Sequence, residues 1–257
     1  LKKIDYIIHC ASMTNAEKSF LNSKKMYKNN LNCLKSVINL CKKKNAKLIH
    51  ISTSSVYGKK TNIVDENCEK KYLKPKSPYA KIKLIEENLL KKETKNIKYN
   101  SFRFGTIAGI SKGMRFHTAV NKFCWQAVMG QPLTIWKTAF DQKRPYLDLD
   151  DAIRVIAFFL EKNKFDGRVY NVVTLNSTVR EMVGIIQGFV PDLNTEFVDS
   201  QIMNQLSYEE FNHDKLASSL EKKLSEDPEI YKEYVERYSN NQQVLAQISE
   251  QNYLIEI

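Results

Sequence analysis

The run Lys47-Leu-Ile-His-Ile-Ser-Thr-Ser-Ser-Val-Tyr-Gly58 constrains this chain more than any other segment. A short apolar stretch gives way to hydroxyl side chains and then to glycine. Such a run reads as a strand of a parallel sheet, buried on both faces, with polar groups at its carboxyl end. Open α/β sheets bind their ligands at that end. Ile4-Asp-Tyr-Ile-Ile-His-Cys-Ala-Ser12 has the same form. Strands are expected at 4–9, 47–53 and 97–104, and helices at 24–44 and 78–93. A helix at 150–162 and a strand at 168–173 return to the same sheet. The alternation predicts an α/β fold with a doubly wound parallel sheet. Between and after these pieces the pattern is mixed: a helix near 117–130, a strand over Pro132–Trp136, a helix over Thr178–Phe189 capped by Ser177 or Thr178, and a strand at 195–198. Residues 59–76 read as a polar loop.

Ser77-Pro-Tyr-Ala-Lys-Ile-Lys83 opens the second helix. Serine is a good N-cap and proline suits the first helical position. Tyr79 and Lys83 are four residues apart and share one helix face, whereas Lys81 lies on another. A free tyrosine titrates near 10, and a neighbouring ammonium favours its phenolate. The pair is therefore a credible proton-transfer device, although the spacing alone equally fits a solvated helix face. Glu86, Glu87 and Lys91 support this helix with i,i+4 pairs.

The net charge of +11 comes from 40 basic against 29 acidic residues. The excess is mostly lysine scattered over loops and helix faces, and no nucleic-acid motif accompanies it. Nucleic acid and membrane are therefore not expected as partners. No apolar run approaches the ~20 residues needed to span a bilayer. The five cysteines are dispersed without a Cys-x-x-Cys and read as reduced packing residues, with no metal site. His9 and His50 lie within apolar strands and read as satisfied core histidines. A cytoplasmic protein is the expectation.

In this order the motifs resemble the extended short-chain dehydrogenase/reductases, in particular the NAD-dependent nucleotide-sugar epimerase/dehydratase branch typified by UDP-glucose 4-epimerase. Asp5–Ser12 resembles that family's strand ending His-x-Ala-Ala. Asn30 opens a helix similar to the family's, and Ser52–Gly58 resembles its Ser-Ser-x-x-Val-Tyr-Gly strand end. Tyr79 and Lys83 match the catalytic pair. Arg103–Gly109 resembles Arg-x-x-Asn-x-x-Gly, with Thr106 at the asparagine and Ala108 at the usual tyrosine. Arg144–Ala152 and Gly167–Val172 resemble two later motifs. The resemblance covers roughly residues 1–220.

It implies a Rossmann-like sheet with a smaller mixed α/β substrate domain. Residues 1–110, with about 145–173 returning, would form the remainder of the dinucleotide-binding domain, and 111–220 mainly the substrate domain. Residues 221–257, charged and amide-rich, depart from the family, and their role stays open. The implied catalytic residues are Thr53, Tyr79 and Lys83. Ala11, Ser12, Asn30 and Ser52 would line the cofactor beside Tyr79 and Lys83. Ser54, Asn121 and Arg144 would contact a nucleotide sugar. For Thr53 a strand-end cap, and for Arg144 a salt bridge to Asp148 or Asp150, are the structural alternatives. The implied cofactor is NAD, with NADP left open, and the implied assembly is a homodimer through helices 24–44 and 78–93. Their apolar sets, Leu31, Leu34, Ile38 and Cys41, and Ile82, Ile85 and Leu89, could equally cover the sheet.

The family's 4,6-dehydratases carry an Asp-Glu pair after the catalytic threonine. Ser54-Ser55 stands there in this chain, which points to an epimerase. A keto-sugar reductase or dehydrogenase, or a non-catalytic remnant, are the alternatives. The family's Gly-x-x-Gly-x-x-Gly turn, which holds pyrophosphate at a helix N-terminus, is missing from the sequence. The 257-residue chain is accordingly expected to bind dinucleotide weakly. Titration calorimetry with NAD and NADH checks this, and sub-micromolar binding would contradict it.

Overall fold

The computed structural model describes residues 3–15, 19–57, 66–68, 70–116 and 118–199. The tail at 221–257 and residues 59–65 and 69 of the loop at 59–76 lie outside the described residues. In chain order the first elements are β1 (Tyr6–His9), α1 (Ser23–Lys44), β2 (Lys47–Thr53), α2 (Pro78–Lys92), β3 (Tyr99–Phe104) and β4 (Thr106–Ala108). They are followed by α3 (Ala119–Val128), β5 (Leu133–Trp136), β6 (Arg144–Asp148), α4 (Leu149–Glu161), β7 (Val169–Val172), β8 (Leu175–Ser177), α5 (Val179–Phe189) and β9 (Thr195–Val198).

The main sheet has the order β1-β2-β3-β7, and every pairing in it is parallel. Parallel strands need crossover connections, and a crossover helix runs back against its strands. The carboxyl ends of all four strands therefore share one edge, and α2 begins at that edge. Ser77 caps α2 by accepting a hydrogen bond from Ala80 N at 3.1 Å, with Pro78 at the first position, as the sequence predicts.

Each face of the sheet carries its own core. Leu34, Ile38 and Cys41 of α1 and Leu90 of α2 pack on Leu48 and Tyr99. The α1 apolar set thus covers the sheet. On the other face Ile49, Phe102, Phe104 and Tyr170 meet Val155 and Phe159 of α4. The 150–162 helix and the 168–173 strand do return to the main sheet, but β6 does not. It pairs parallel to β4 and antiparallel to β8 in a separate three-stranded sheet. The chain crosses between the sheets at Gly105, where an added Cβ would lie 3.0 Å from the Pro145 carbonyl oxygen. A third, two-stranded sheet pairs β5 with β9 in parallel, and its core residues Leu133 and Ile135 pack with Phe123 of α3 and Val183 and Ile186 of α5. α5 begins in a capping box: Thr178 accepts from Glu181 N while Glu181 accepts from Thr178 N. That settles the cap on Thr178 rather than Ser177.

Phe102 is fully buried and meets Phe159 edge-on at 4.9 Å between centroids. Phe102→Ala should lower unfolding stability by about 3–5 kcal/mol, the usual cost of an emptied aromatic site. Urea denaturation with an unchanged m-value is the expected readout.

Candidate active site at the carboxyl edge of the sheet

Tyr79 lies half-buried in the first turn of α2, and its backbone N–H donates to Ser19 Oγ at 3.3 Å. One turn deeper, Lys83 is 2 % exposed. Its Nζ meets Glu86 Oε2 at 2.8 Å. The same oxygen receives His50 Nε2 at 2.9 Å, and His50 Nδ1 lies 3.1 Å from Ser101 Oγ. Glu86 has no exposed surface. It therefore belongs to the interior. Burial alone would raise its carboxyl, but the His50 hydrogen bond and the Lys83 ammonium hold it below the usual range.

Glu87 also turns inward. Arg103 grips it with two hydrogen bonds, Nε to Oε1 at 2.9 Å and Nη2 to Oε2 at 2.6 Å. Ser52 Oγ donates to Glu87 Oε1 at 2.5 Å. Arg103 Nη1 donates to Tyr57 OH at 2.7 Å, and that hydroxyl donates to Asn171 Oδ1 at 2.8 Å. Ser52, expected to line a cofactor, is thus tied beneath α2. The i,i+4 pattern at Glu86 and Glu87 could not reveal this, because the partners come from β2 and β3. A basic residue in each of two apolar segments, His50 and Arg103, was the available signal.

Thr53 ends β2, and strand alternation assigns it to the Ile49 and Ile51 face, opposite His50 and Ser52. Its Oγ1 accepts from Ser55 N at 3.2 Å and caps the 3-10 turn Ser54–Val56. That turn packs against α2. Ser54 is buried in the same turn.

Two amides shape loops at this edge. Asn30 Oδ1 accepts from Met13 N at 2.9 Å and its Nδ2 donates to Met13 O at 3.1 Å. Both ends of the side chain hold the loop after β1, where Ala11 is exposed and Ser12 half-buried. Asn121 does the same for the loop after β4. Its Oδ1 accepts from Gly109 N at 3.3 Å and its Nδ2 donates to Arg115 O at 3.2 Å. Gly109 sits at φ +135°, and an added Cβ would lie 2.8 Å from Leu149 Cβ. Arg115 in turn donates to Thr14 Oγ1, joining the two loops. Asn30 and Asn121, expected to touch ligands, both bond to loop backbone here. Arg144 is half-buried and donates to Gln142 Oε1 at 3.1 Å. Asp148 caps α4 by accepting from Asp150 N at 2.8 Å.

The structure therefore gathers Tyr79, Lys83 and the Thr53–Ser54 turn near the carboxyl edge with Ala11 and Ser12, while Asn121 lies on α3 and Arg144 opens β6 of the second sheet. Ala11 is exposed just after β1, and the Lys83 charge acts on His9 and Cys10 at that strand end. These features suit the nicotinamide-ribose end of a dinucleotide. Among the described residues no group of three His, Cys, Asp or Glu side chains could hold a metal ion, and no helix is long and apolar enough to cross a membrane. Cys10 is exposed at the strand end rather than packed.

A profile of the NAD dependent epimerase/dehydratase family matches residues 1–172. The chain belongs to that family. It is 30 % identical over 192 residues to a dTDP-D-glucose 4,6-dehydratase of Dictyostelium discoideum, covering 67 % of this chain and 42 % of the relative. It is 30 % identical over 178 residues to the uncharacterized UDP-glucose epimerase YtcB of Bacillus subtilis, covering 67 % and 54 %. The chain thus spans about half of these relatives' length. A solved UDP-glucuronic acid 4-epimerase of Bacillus cereus, in complex with UDP-glucuronic acid and NAD, is similar at 26 % identity and a TM-score of 0.73, over 84 % of this chain and 68 % of that one. The epimerase/dehydratase fold expected from the motifs is therefore the fold observed.

His9 departs from the satisfied histidine expected of it. It is 4 % exposed and its Nε2 has no partner among the described residues. Burial first, then the charges of His50 and Lys83, lower it from 6.5 to about 4. Burial likewise keeps His50 neutral. Both bind protons more readily in the unfolded chain, so acid favours unfolding. Stability should be fully present above about pH 6.5 and fall as pH drops toward 4. Thermal unfolding across that range should show a falling Tm, and His9→Asn should flatten the slope.

Proposed function

We propose that this chain carries the catalytic edge of an NAD-dependent nucleotide-sugar epimerase. The observation that carries the reading is the buried Lys83 ammonium one helical turn below half-buried Tyr79, at the carboxyl edge of a parallel sheet. Tyr79 is the acid/base: its phenolate takes the proton of a sugar hydroxyl and later returns it to the oxygen. Lys83 favours the phenolate and binds the nicotinamide ribose. Thr53 donates a hydrogen bond to the oxygen on which charge develops. NAD, when bound, supplies the hydride acceptor and, after the keto-sugar has turned, the hydride donor. Ala11 and Ser12 flank that cofactor, with Asn30 fixing their loop. Arg144 holds the diphosphate of the nucleotide sugar, a role suited to guanidinium. Asn121 shapes the loop beside it. Residues 1–110 with 145–173 serve the cofactor, and the elements after Gly109 serve the sugar nucleotide.

Ser54-Ser55 supports epimerisation over elimination. Loss of water from a keto-sugar needs a further acid and base, and hydroxyls are poor substitutes for carboxyls. Steady-state kinetics of the full-length protein on UDP-, GDP- and dTDP-sugars test the reading. Tyr79→Phe should lower kcat by about 10²–10⁴-fold with little change in KM. Thr53→Val should cost less, and Arg144→Ala should chiefly raise KM. Full activity in Tyr79→Phe would remove the acid/base assignment. A 4-keto-6-deoxy product would move the protein to the dehydratases, one of which is among its relatives.

A further inference from the structure

We infer that Glu86, held by His50, is the positioning residue that fixes the Lys83 ammonium on the Tyr79 face of α2. This rests on the reading of Tyr79 and Lys83 as the acid/base pair. The geometry points there directly. Lys83 is almost wholly removed from solvent, and its described ion pair is with Glu86 Oε2 at 2.8 Å. An ammonium has three N–H donors, and this contact uses one of them. His50 Nε2 meets the same oxygen at 2.9 Å. An ionised carboxylate only accepts, so Nε2 carries the imidazole proton and Nδ1 accepts from the Ser101 hydroxyl. One anion, one cation and one neutral imidazole form a unit of no net charge, drawn from α2, β2 and β3.

The remaining groups around it do not replace Glu86. His9 and Cys10, at the end of β1, both feel the Lys83 charge, and neither is anionic at neutral pH. Glu87 is the next carboxylate on α2, but the Arg103 guanidinium occupies it. The buried side chains of α1 are uncharged: Met26, Asn30, Leu31, Leu34, Ile38 and Cys41. The Ser54–Val56 turn, which also packs on α2, brings no ionisable side chain. Without Glu86 the Lys83 ammonium loses the ion pair that holds it in place, and an ammonium that swings away no longer favours a phenolate beside it. Burial opposes ionisation of Glu86, yet its bonds to His50 and Lys83 outweigh that effect.

The test reads the Tyr79 phenol directly, without cofactor or turnover. The 257-residue chain is labelled with [13Cζ]tyrosine and titrated by NMR, and the Tyr79 signal is identified by its loss in Tyr79→Phe. Glu86→Gln should move the phenol midpoint up by about 1–3 pH units, the usual effect of losing one close opposite charge. Glu86→Asp, which keeps the carboxylate, should restore most of that. An unmoved midpoint, or one that falls because Glu86 had opposed the phenolate, overturns the inference. Should Glu86→Gln not fold, the 15N spectrum of His50 in the unaltered chain decides. A neutral Nε2–H tautomer is expected at pH 7, and an Nδ1–H tautomer or an imidazolium overturns it. Lys83→Gln separates the two readings. If it leaves the phenol unmoved, the acid/base pair itself fails. If it moves the phenol and Glu86→Gln does not, only the role of Glu86 fails.

Discussion

The buried pair of Glu87 and Arg103 is the constraint on which the rest of this edge depends. Two charges taken out of water cost several kcal/mol each before they are paired. The fork of Arg103 meets both oxygens of Glu87, Ser52 adds a third hydrogen bond, and Tyr57 and Asn171 extend the network. These residues come from β2, the segment after it, α2, β3 and β7. No one of them can shift without leaving a buried charge or hydroxyl unpaired. The network thereby fixes the rotation of α2 about its axis and its height over the sheet. Once α2 is fixed, Tyr79 has to stand at the carboxyl edge and Lys83 one turn below it.

The loops are governed by amides in a similar way. Loops at the end of a parallel sheet have backbone groups that no strand ladder satisfies. Asn30 and Asn121 each supply one donor and one acceptor to such a loop. An asparagine in a family motif is therefore not by itself a ligand contact. In both cases the side chain is buried against backbone.

Much of the fold was legible in the sequence because burial leaves a periodic trace. Apolar runs of strand length, helices of amphipathic spacing, Ser77-Pro78 and Thr178 with Glu181 are local signals, and each recurs in the structure at nearly the expected residues. Sheet membership was less legible. Residues at about 145–173 were expected to return to the main domain, but β6 lies beside β4 and β8 in a second sheet, and the chain passes between the sheets close by Gly105 and Pro145. No local pattern encodes a crossing.

For the site, the sequence by itself determined the residue types and their order: Tyr79 and Lys83 on one helix face, hydroxyls at the end of β2, and serines where a dehydratase has carboxylates. Helical spacing and chain order are properties of the backbone, and they hold before any tertiary contact forms. Only the tertiary structure decided which charges meet. Adjacent carboxylates at 86 and 87 look alike in sequence, yet one joins Lys83 and His50 and the other joins Arg103 and Ser52. Successive helical residues are turned by about 100°, so each faces a different part of the sheet. The partners that make burial of these charges tolerable lie on strands up to 36 residues away, and only folding brings them within hydrogen-bonding distance.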